Sequence, residues 1–283
     1  MSVERAGWPI NGVDAITYGL ATERPTVFVR ATDNLMRERF TIAHEVGHII
    51  LPWHLPRSNC AVGEAQLDGP ETSENEADIF ASCLLVPDAW LRTLFAKHGG
   101  DMSLVLGELD VAEVSTPAAL LAMRRHLLAG WVFERARDGK TFATPGTEML
   151  GRSLTDAPAQ GQTSLNGETV RWYCFHDPDL SMPDAPQGDK RTAHAVLVDS
   201  LQAEGHTAEN ATRIAQQLNG KVGGTLRASL GRPAAESYAA MCHRLSVPEF
   251  APLLQIEGVR LWLAERCRGV EEGKTKRRRG GKQ

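Results

Sequence analysis

An α+β fold is predicted by three features of the sequence. Two short runs of alternating apolar and polar residues, Val13–Tyr18 and Thr26–Arg30, read as strands of a small sheet. Two stretches with helical spacing follow. The first holds His44-Glu45-Val46-Gly47-His48, and the second opens on the acids Glu71, Glu74, Glu76 and Asp78. Further strand candidates, Trp131–Ala143 and Val170–Phe175, then precede a helical region that runs from Arg191 to about Cys267.

Each element has a local reason. The first two strands flank a loop containing Pro25, as in an antiparallel pair. Thr26–Arg30 is expected either as an edge on which an extended peptide pairs by strand addition or as a plain sheet strand. Asp33 or Asn34 caps a helix over Leu35–Ile50. Leu51–Pro70, with three prolines and two glycines, is a loop. A second helix runs from about Glu71 to Val86, and Pro87 ends it. Short helices follow to about Leu128, with Asp101 and Ser115 as caps and Pro117 in a first helical turn. Asp138-Gly139 marks a hairpin turn. Asp177–Asp189, with three prolines and four aspartates, reads as a linker. Gly220-Lys221-Val222-Gly223-Gly224 fits neither glycine-rich phosphate motif and reads as a turn between helices. The resulting organisation is a core over residues 1–87, a helical segment over 88–130, a mixed α/β region over 131–270 and a basic tail over 271–283.

Composition narrows the classes. The chain has 283 residues, 42% of them hydrophobic and 23% charged, which is ordinary for a globular protein of about two domains. Its 31 basic against 35 acidic side chains give −4. The last thirteen residues hold six basic and two acidic ones, +4, so the body carries −8. An acidic body argues against a large nucleic-acid-coating surface. No apolar run reaches the roughly 18–20 residues of a membrane span, and the N-terminus lacks a signal-peptide core. The five cysteines form no CxxC pair, so a reducing cytoplasm is the expected compartment. Cys60 reads as a loop or buried thiol, with a redox-sensitive one as the sharper alternative.

The chemistry is concentrated in the first helix. His44 and His48 are four apart and share one helical face. Two neutral imidazoles so spaced can hold one Zn²⁺ at about 2.0–2.1 Å. Glu45 is rotated away from the metal but lies beside the water it would bind, where a general base is needed. Ile42, Val46, Gly47, Ile49 and Ile50 are uncharged, which suits a buried active-site helix better than a surface one. A third ligand is expected from the acidic helix. At roughly 100° per residue, Glu74 and Asp78 lie about 40° apart, whereas Glu76 lies about 160° from Glu74, with Phe80 and Cys83. The Glu74 face offers a ligand and, one turn on, a carboxylate able to accept the N–H of a zinc-bound histidine. Glu74 is therefore the preferred ligand and Glu76 the alternative. A solvated, dipole-favoured helix start accounts for Glu71 and Glu76 equally well.

RFTIAHEVGHII followed by ENEADIFASCLLVP resembles the ImmA/IrrE family of bacterial metallopeptidases, whose usual form is RFTxAHExGH and then E-x-x-A-[ND]-x-F-A-x-x-L-L-x-P. The resemblance covers about residues 26–130. It implies a zincin-like peptidase core, a small sheet plus the active-site helix, followed by a helix-turn-helix-like segment. It implies zinc on His44, His48 and Glu74, with Asp78 four residues beyond the ligand glutamate. It further implies a helix-turn-helix repressor as substrate, whose cleavage releases stress-response or mobile-element genes. Family members begin with a helix and a further strand ahead of the region that starts near Gly12. With a dozen residues before Val13, the domain is expected to be short or its start misassigned. No family pattern extends beyond Trp131.

The expected mechanism has Glu45 take the water's proton and pass it to the leaving amine. An oxyanion donor is not singled out: His54, Tyr18, His176, His194 and His206 are candidates, each equally a surface or packing residue. Asp110–His126 resembles the second half of a helix-turn-helix, capped by Ser115. Arg124 and Arg125 sit at its C-terminal end, while readers of DNA use the N-terminal end, here Thr116-Pro117-Ala118-Ala119. A packing or partner-docking role is expected there. Lys274, Lys276, Arg277, Arg278 and Arg279 make a low-complexity tail, expected to be disordered and at most a weak tether to DNA. The function expected is a cytoplasmic zinc endopeptidase. The alternatives are a protein that sequesters a repressor without cutting it and a DNA-binding regulator with structural zinc.

Overall fold

A computed structural model describes residues 1–7, 13–20, 22–54, 70–149, 151–185 and 191–273. Cys60 and the basic residues beyond Gly273 lie outside the described residues. The chain divides into two compact units, Met1–His126 with Thr163–Thr169, and Leu127–Gln162 with Val170–Gln283. Among the described residues no single helix is long and apolar enough to cross a membrane.

The first unit opens on three strands, β1 (Ser2–Ala6), β2 (Ala15–Tyr18) and β3 (Thr26–Arg30), in the order β1-β3-β2. β2 and β3 are antiparallel, with Tyr18 opposite Thr26 and Ala15 opposite Val29. β1 runs parallel to β3, with Ser2 opposite Thr26. The edge reading of Thr26–Arg30 is therefore corrected: β3 is the central strand, and Val27 and Val29 are buried. SVERA lacks the apolar alternation that marks a strand, because all but its last residue are exposed. It is recruited by backbone pairing and by one ion pair, Arg5 to the buried Glu38 at 2.7 Å.

Glu38 belongs to α1 (Leu35–Ile50), whose first turn is capped by Asn34, its Oδ1 accepting from the Arg37 amide at 3.0 Å. α1 crosses α2 (Pro70–Leu85) through small residues. A Cβ at Gly47 would lie 3.2 Å from the Ala77 Cα and from the Phe80 ring. Ala43, Ala77 and Ala81 are all buried. The pair is close because nothing larger than a methyl group separates the backbones there.

α3 (Asp88–Lys97), α4 (Met102–Glu108) and α5 (Thr116–His126) complete this unit. Asp101 caps α4 by accepting from the Ser103 and Leu104 amides. Arg125 of α5 donates to Ser82 Oγ, to the Val86 carbonyl and to Asp88 Oδ1, so it holds α5 to the α2–α3 junction. The N-terminal end of α5 is covered by the hairpin tip 163–169: Thr116 donates to the Leu165 carbonyl, and Asn166 Nδ2 donates to the Val114 carbonyl. The end from which a recognition helix reads bases is thus engaged within the unit.

A second sheet has the order β5-β4-β7-β6, formed by β4 (Trp131–Arg135), β5 (Lys140–Ala143), β6 (Ala159–Leu165) and β7 (Glu168–Cys174); all of it but the Thr163–Thr169 tip belongs to the second unit. β6 escapes sequence reading because AQGQTSL is small and polar, although Asn166-Gly167 after it is a hairpin signal. Both take positive φ, 53° and 74°, as the tight turn requires. Four helices follow: α6 (Ala193–Ala203), α7 (Ala208–Ala228), α8 (Ala234–Leu245) and α9 (Glu257–Glu271). They enclose a core that includes Leu197, Leu218, Val222, Tyr238, Met241 and Trp262.

The turn expected at Gly220–Gly224 does not exist, since α7 runs unbroken through it. Ala211, Ile214, Ala215, Leu218, Val222, Thr225 and Leu226 form one continuous buried stripe. Burying that stripe outweighs the roughly 1 kcal/mol that each helical glycine costs relative to alanine.

Candidate metal centre

His44 and His48 stand one turn apart on α1, and their Nε2 atoms are 3.1 Å from one another. Glu74 reaches across from α2, with Oε2 at 3.1 Å from His44 Nε2 and Oε1 at 3.3 Å from His48 Nε2. Three donors bound tetrahedrally at about 2.0–2.2 Å from one cation stand about 3.3 Å apart, so the spacing fits a single ion. These are the three side chains that, among the described residues, form a group able to hold a metal. The histidine side chains are mostly buried and Glu74 is 61% exposed, so the site opens to solvent on its carboxylate side.

The close approach at Gly47 places Glu74 within reach. One turn beyond Glu74, Asp78 accepts from His44 Nδ1 at 2.8 Å. With its proton fixed on Nδ1, His44 turns the Nε2 lone pair toward Glu74 and His48. Burial pushes the pKa of His48 down, opposed by the charge of Glu74, which keeps a second neutral imidazole available. Glu45 points elsewhere: its Oε2 accepts from the Thr17 hydroxyl of β2 at 2.5 Å. Its negative charge is close enough to favour the protonated form of His48. Sequence reasoning passed over Thr17, and nothing local distinguishes it from an ordinary strand threonine.

Glu76 stands outside the His44–His48–Glu74 group, and it is not an idle member of a solvated helix start. It accepts from Trp53 Nε1 at 2.5 Å and from His54 Nε2 at 2.8 Å, and these two bonds lower its pKa. His54 in turn places Nδ1 3.0 Å from His48 Nδ1. The available clue was a histidine six residues after His48, in Pro52–His54, where Pro52 ends α1 and a short 3-10 turn folds back. Of the other oxyanion candidates, Tyr18 is an exposed residue of β2. His176, His194 and His206 belong to the second unit.

Two histidines four apart, a glutamate beside the first and a carboxylate from the following helix form the donor set of an HExxH metallopeptidase site. Residues 9–120 match the family described as Peptidase_M78, the IrrE N-terminal-like domain, and this match supports membership of the ImmA/IrrE family. No curated protein matches the chain.

Proposed function

We propose that this protein is a cytoplasmic zinc-dependent endopeptidase that cleaves a helix-turn-helix transcriptional repressor, releasing stress-response or mobile-element genes. The observation that carries the reaction class is the convergence of His44 Nε2, His48 Nε2 and the Glu74 carboxylate, with Glu45 on the same helix. The substrate class rests on the family resemblance. Two imidazoles and a carboxylate suit zinc, which when bound acts as a Lewis acid toward water and the scissile carbonyl.

The protein's own residues do the rest. Glu45 accepts the water's proton and delivers it to the leaving amine. The Thr17 hydroxyl holds one Glu45 oxygen, leaving the other for that transfer. Asp78 keeps His44 in its ligating tautomer. β2 is an outer strand, and through Thr17 it lies beside Glu45, so an extended substrate segment pairs along it by strand addition.

Zinc content is measured first. The protein is then incubated with the repressor encoded beside its own gene, in wild-type form and as Glu45→Gln. The variant is expected to keep zinc and lose about 10²–10⁴-fold in cleavage rate. If Glu45→Gln still releases repression in cells, the protein acts by sequestration and the peptidase reading is wrong.

A further inference from the structure

We propose that His54 and Glu76 are positioning residues for the second ligand, forming a relay from Glu76 through His54 to His48 that holds His48 with Nε2 free for the metal. The relay rests on the zinc reading of the site and goes one layer outward from it.

The proton positions follow from the contacts. His48 Nε2 faces His44 Nε2 and Glu74, so as a ligand it carries a lone pair and its proton sits on Nδ1. The group 3.0 Å from His48 Nδ1 is His54 Nδ1, which must therefore accept that proton. A neutral His54 then carries its own proton on Nε2, directed at Glu76 Oε2 at 2.8 Å. An ionised carboxylate can only accept, so the chain ends consistently. Moving either proton sets two donors or two lone pairs against each other. The His54 side chain is 1% exposed, so solvent offers little relief. One arrangement of neutral imidazoles satisfies both the His48–His54 and the His54–Glu76 contacts, and it is the one in which His48 can ligate.

The two ligand histidines are thus supported unequally. His44 meets a carboxylate directly, Asp78 at 2.8 Å. The Nδ1 of His48 instead meets the His54 imidazole, which bridges to the carboxylate of Glu76. Both supporting acids come from α2, Asp78 on the face of Glu74 and Glu76 on the face roughly 160° away. Trp53 Nε1 also donates to Glu76 Oε2, so the turn after α1 is fastened to α2 at two adjacent residues.

The test has two readouts that do not require catalysis. Long-range ¹H–¹⁵N spectra of the zinc-loaded wild-type protein are expected to show His48 protonated on Nδ1, and His54 protonated on Nε2 with an unprotonated Nδ1. A proton on His54 Nδ1 overturns the relay, and that result needs no variant. Chelator competition then gives zinc affinity. His54→Phe should weaken it about 10–100-fold, the range for losing such an outer partner. Glu76→Gln, whose amide oxygen still accepts from His54, should stay within a few-fold of wild type, and Glu76→Ala should not. If wild type binds zinc through His44, His48 and Glu74 while His54→Phe binds it as tightly, the relay alone is wrong. If wild type takes up no zinc, the metallopeptidase reading fails and the relay with it.

Discussion

His44 and His48 of the first unit and His176 and His243 of the second use their rings in opposite ways. In the first, His44 and His48 each spend one ring nitrogen on a side chain, Asp78 or His54, and present the other to Glu74. In the second, His243 spends both on backbone: Nε2 accepts from the Glu148 amide at 2.9 Å and Nδ1 donates to the Phe175 carbonyl at 3.3 Å. His176 donates Nε2–H to the Ala129 carbonyl. Burial pushes His243 down to about 4 and lowers His176 in the same direction. A histidine becomes available as a ligand when its far nitrogen has a side-chain partner and its near one still has a lone pair. Enclosure alone produces a neutral, fully used imidazole that pins loops together.

The sharpest way to break this comparison is to exchange losses between units. His48→Ala should abolish stoichiometric zinc binding and peptidase activity, a larger effect than any change at His54 or Glu76. His243→Ala should leave zinc content untouched. It strands the Glu148 amide, so it should cost the second unit about 1–3 kcal/mol in denaturant unfolding. Zinc loss from His243→Ala would show that the division between ligating and packing histidines is wrong.

A second expectation concerns the helix crossing that makes the centre possible. At Gly47 a methyl group meets the backbone of Ala77 at 3.2 Å, and backbone cannot step aside as a side chain tip can. Gly47→Ala should force α1 and α2 apart by a few tenths of an ångström, costing about 1–3 kcal/mol as overpacking does. Because Glu74 rides on α2, zinc affinity should fall with stability. Wild-type affinity in a destabilised variant would uncouple the crossing from the site.

Acid separates the histidines further. For His243 the unfolded value is near 6.5 and the folded value about 4, so below pH 6.5 the unfolded chain takes up a proton that the fold refuses. Its contribution to stability is complete above about pH 6.5 and is lost as the pH falls toward 4. His176 acts in the same direction. The urea midpoint of the second unit should therefore be lower at pH 5 than at pH 7, and His243→Asn should flatten the difference. An equal midpoint at both values would mean that His243 is freely protonated in the fold.

What was legible in the sequence was whatever is decided within one or two turns of chain. Asn34 as a cap, Leu35–Ile50 as a helix, Pro87 as a stop and Asp138-Gly139 as a turn each depend on neighbours already in view. The angular separation of Glu74 and Glu76 is of the same kind, and it selected the carboxylate that lies within 3.3 Å of both His44 and His48. The misses depend on what arrives from elsewhere. Ser2–Ala6 becomes a strand because β3 offers it a free side. Thr17 matters because β2 lies beside Glu45. Glu76 reads from its own helix only as an alternative ligand or part of a solvated helix start, and its partners, Trp53 and His54, come from the turn after α1.

α7 carries the last and smallest expectation, and it mirrors Gly47. Both Gly47 and Gly224 lie inside helices, yet they differ in what surrounds the missing Cβ. At Gly224 nothing comes within 4 Å, and the residue is exposed, off the buried stripe that holds α7 in place. Its φ is not in the left-handed region, so alanine can adopt the same backbone without strain. Gly224→Ala removes unfolded-state freedom and adds no clash, so it should stabilise the second unit by up to about 1 kcal/mol. Thermal or urea unfolding reads this directly. Destabilisation of equal size would mean that this stretch of α7 needs the freedom of its glycines, and that the turn read there from sequence reflects a real tendency of the chain to open.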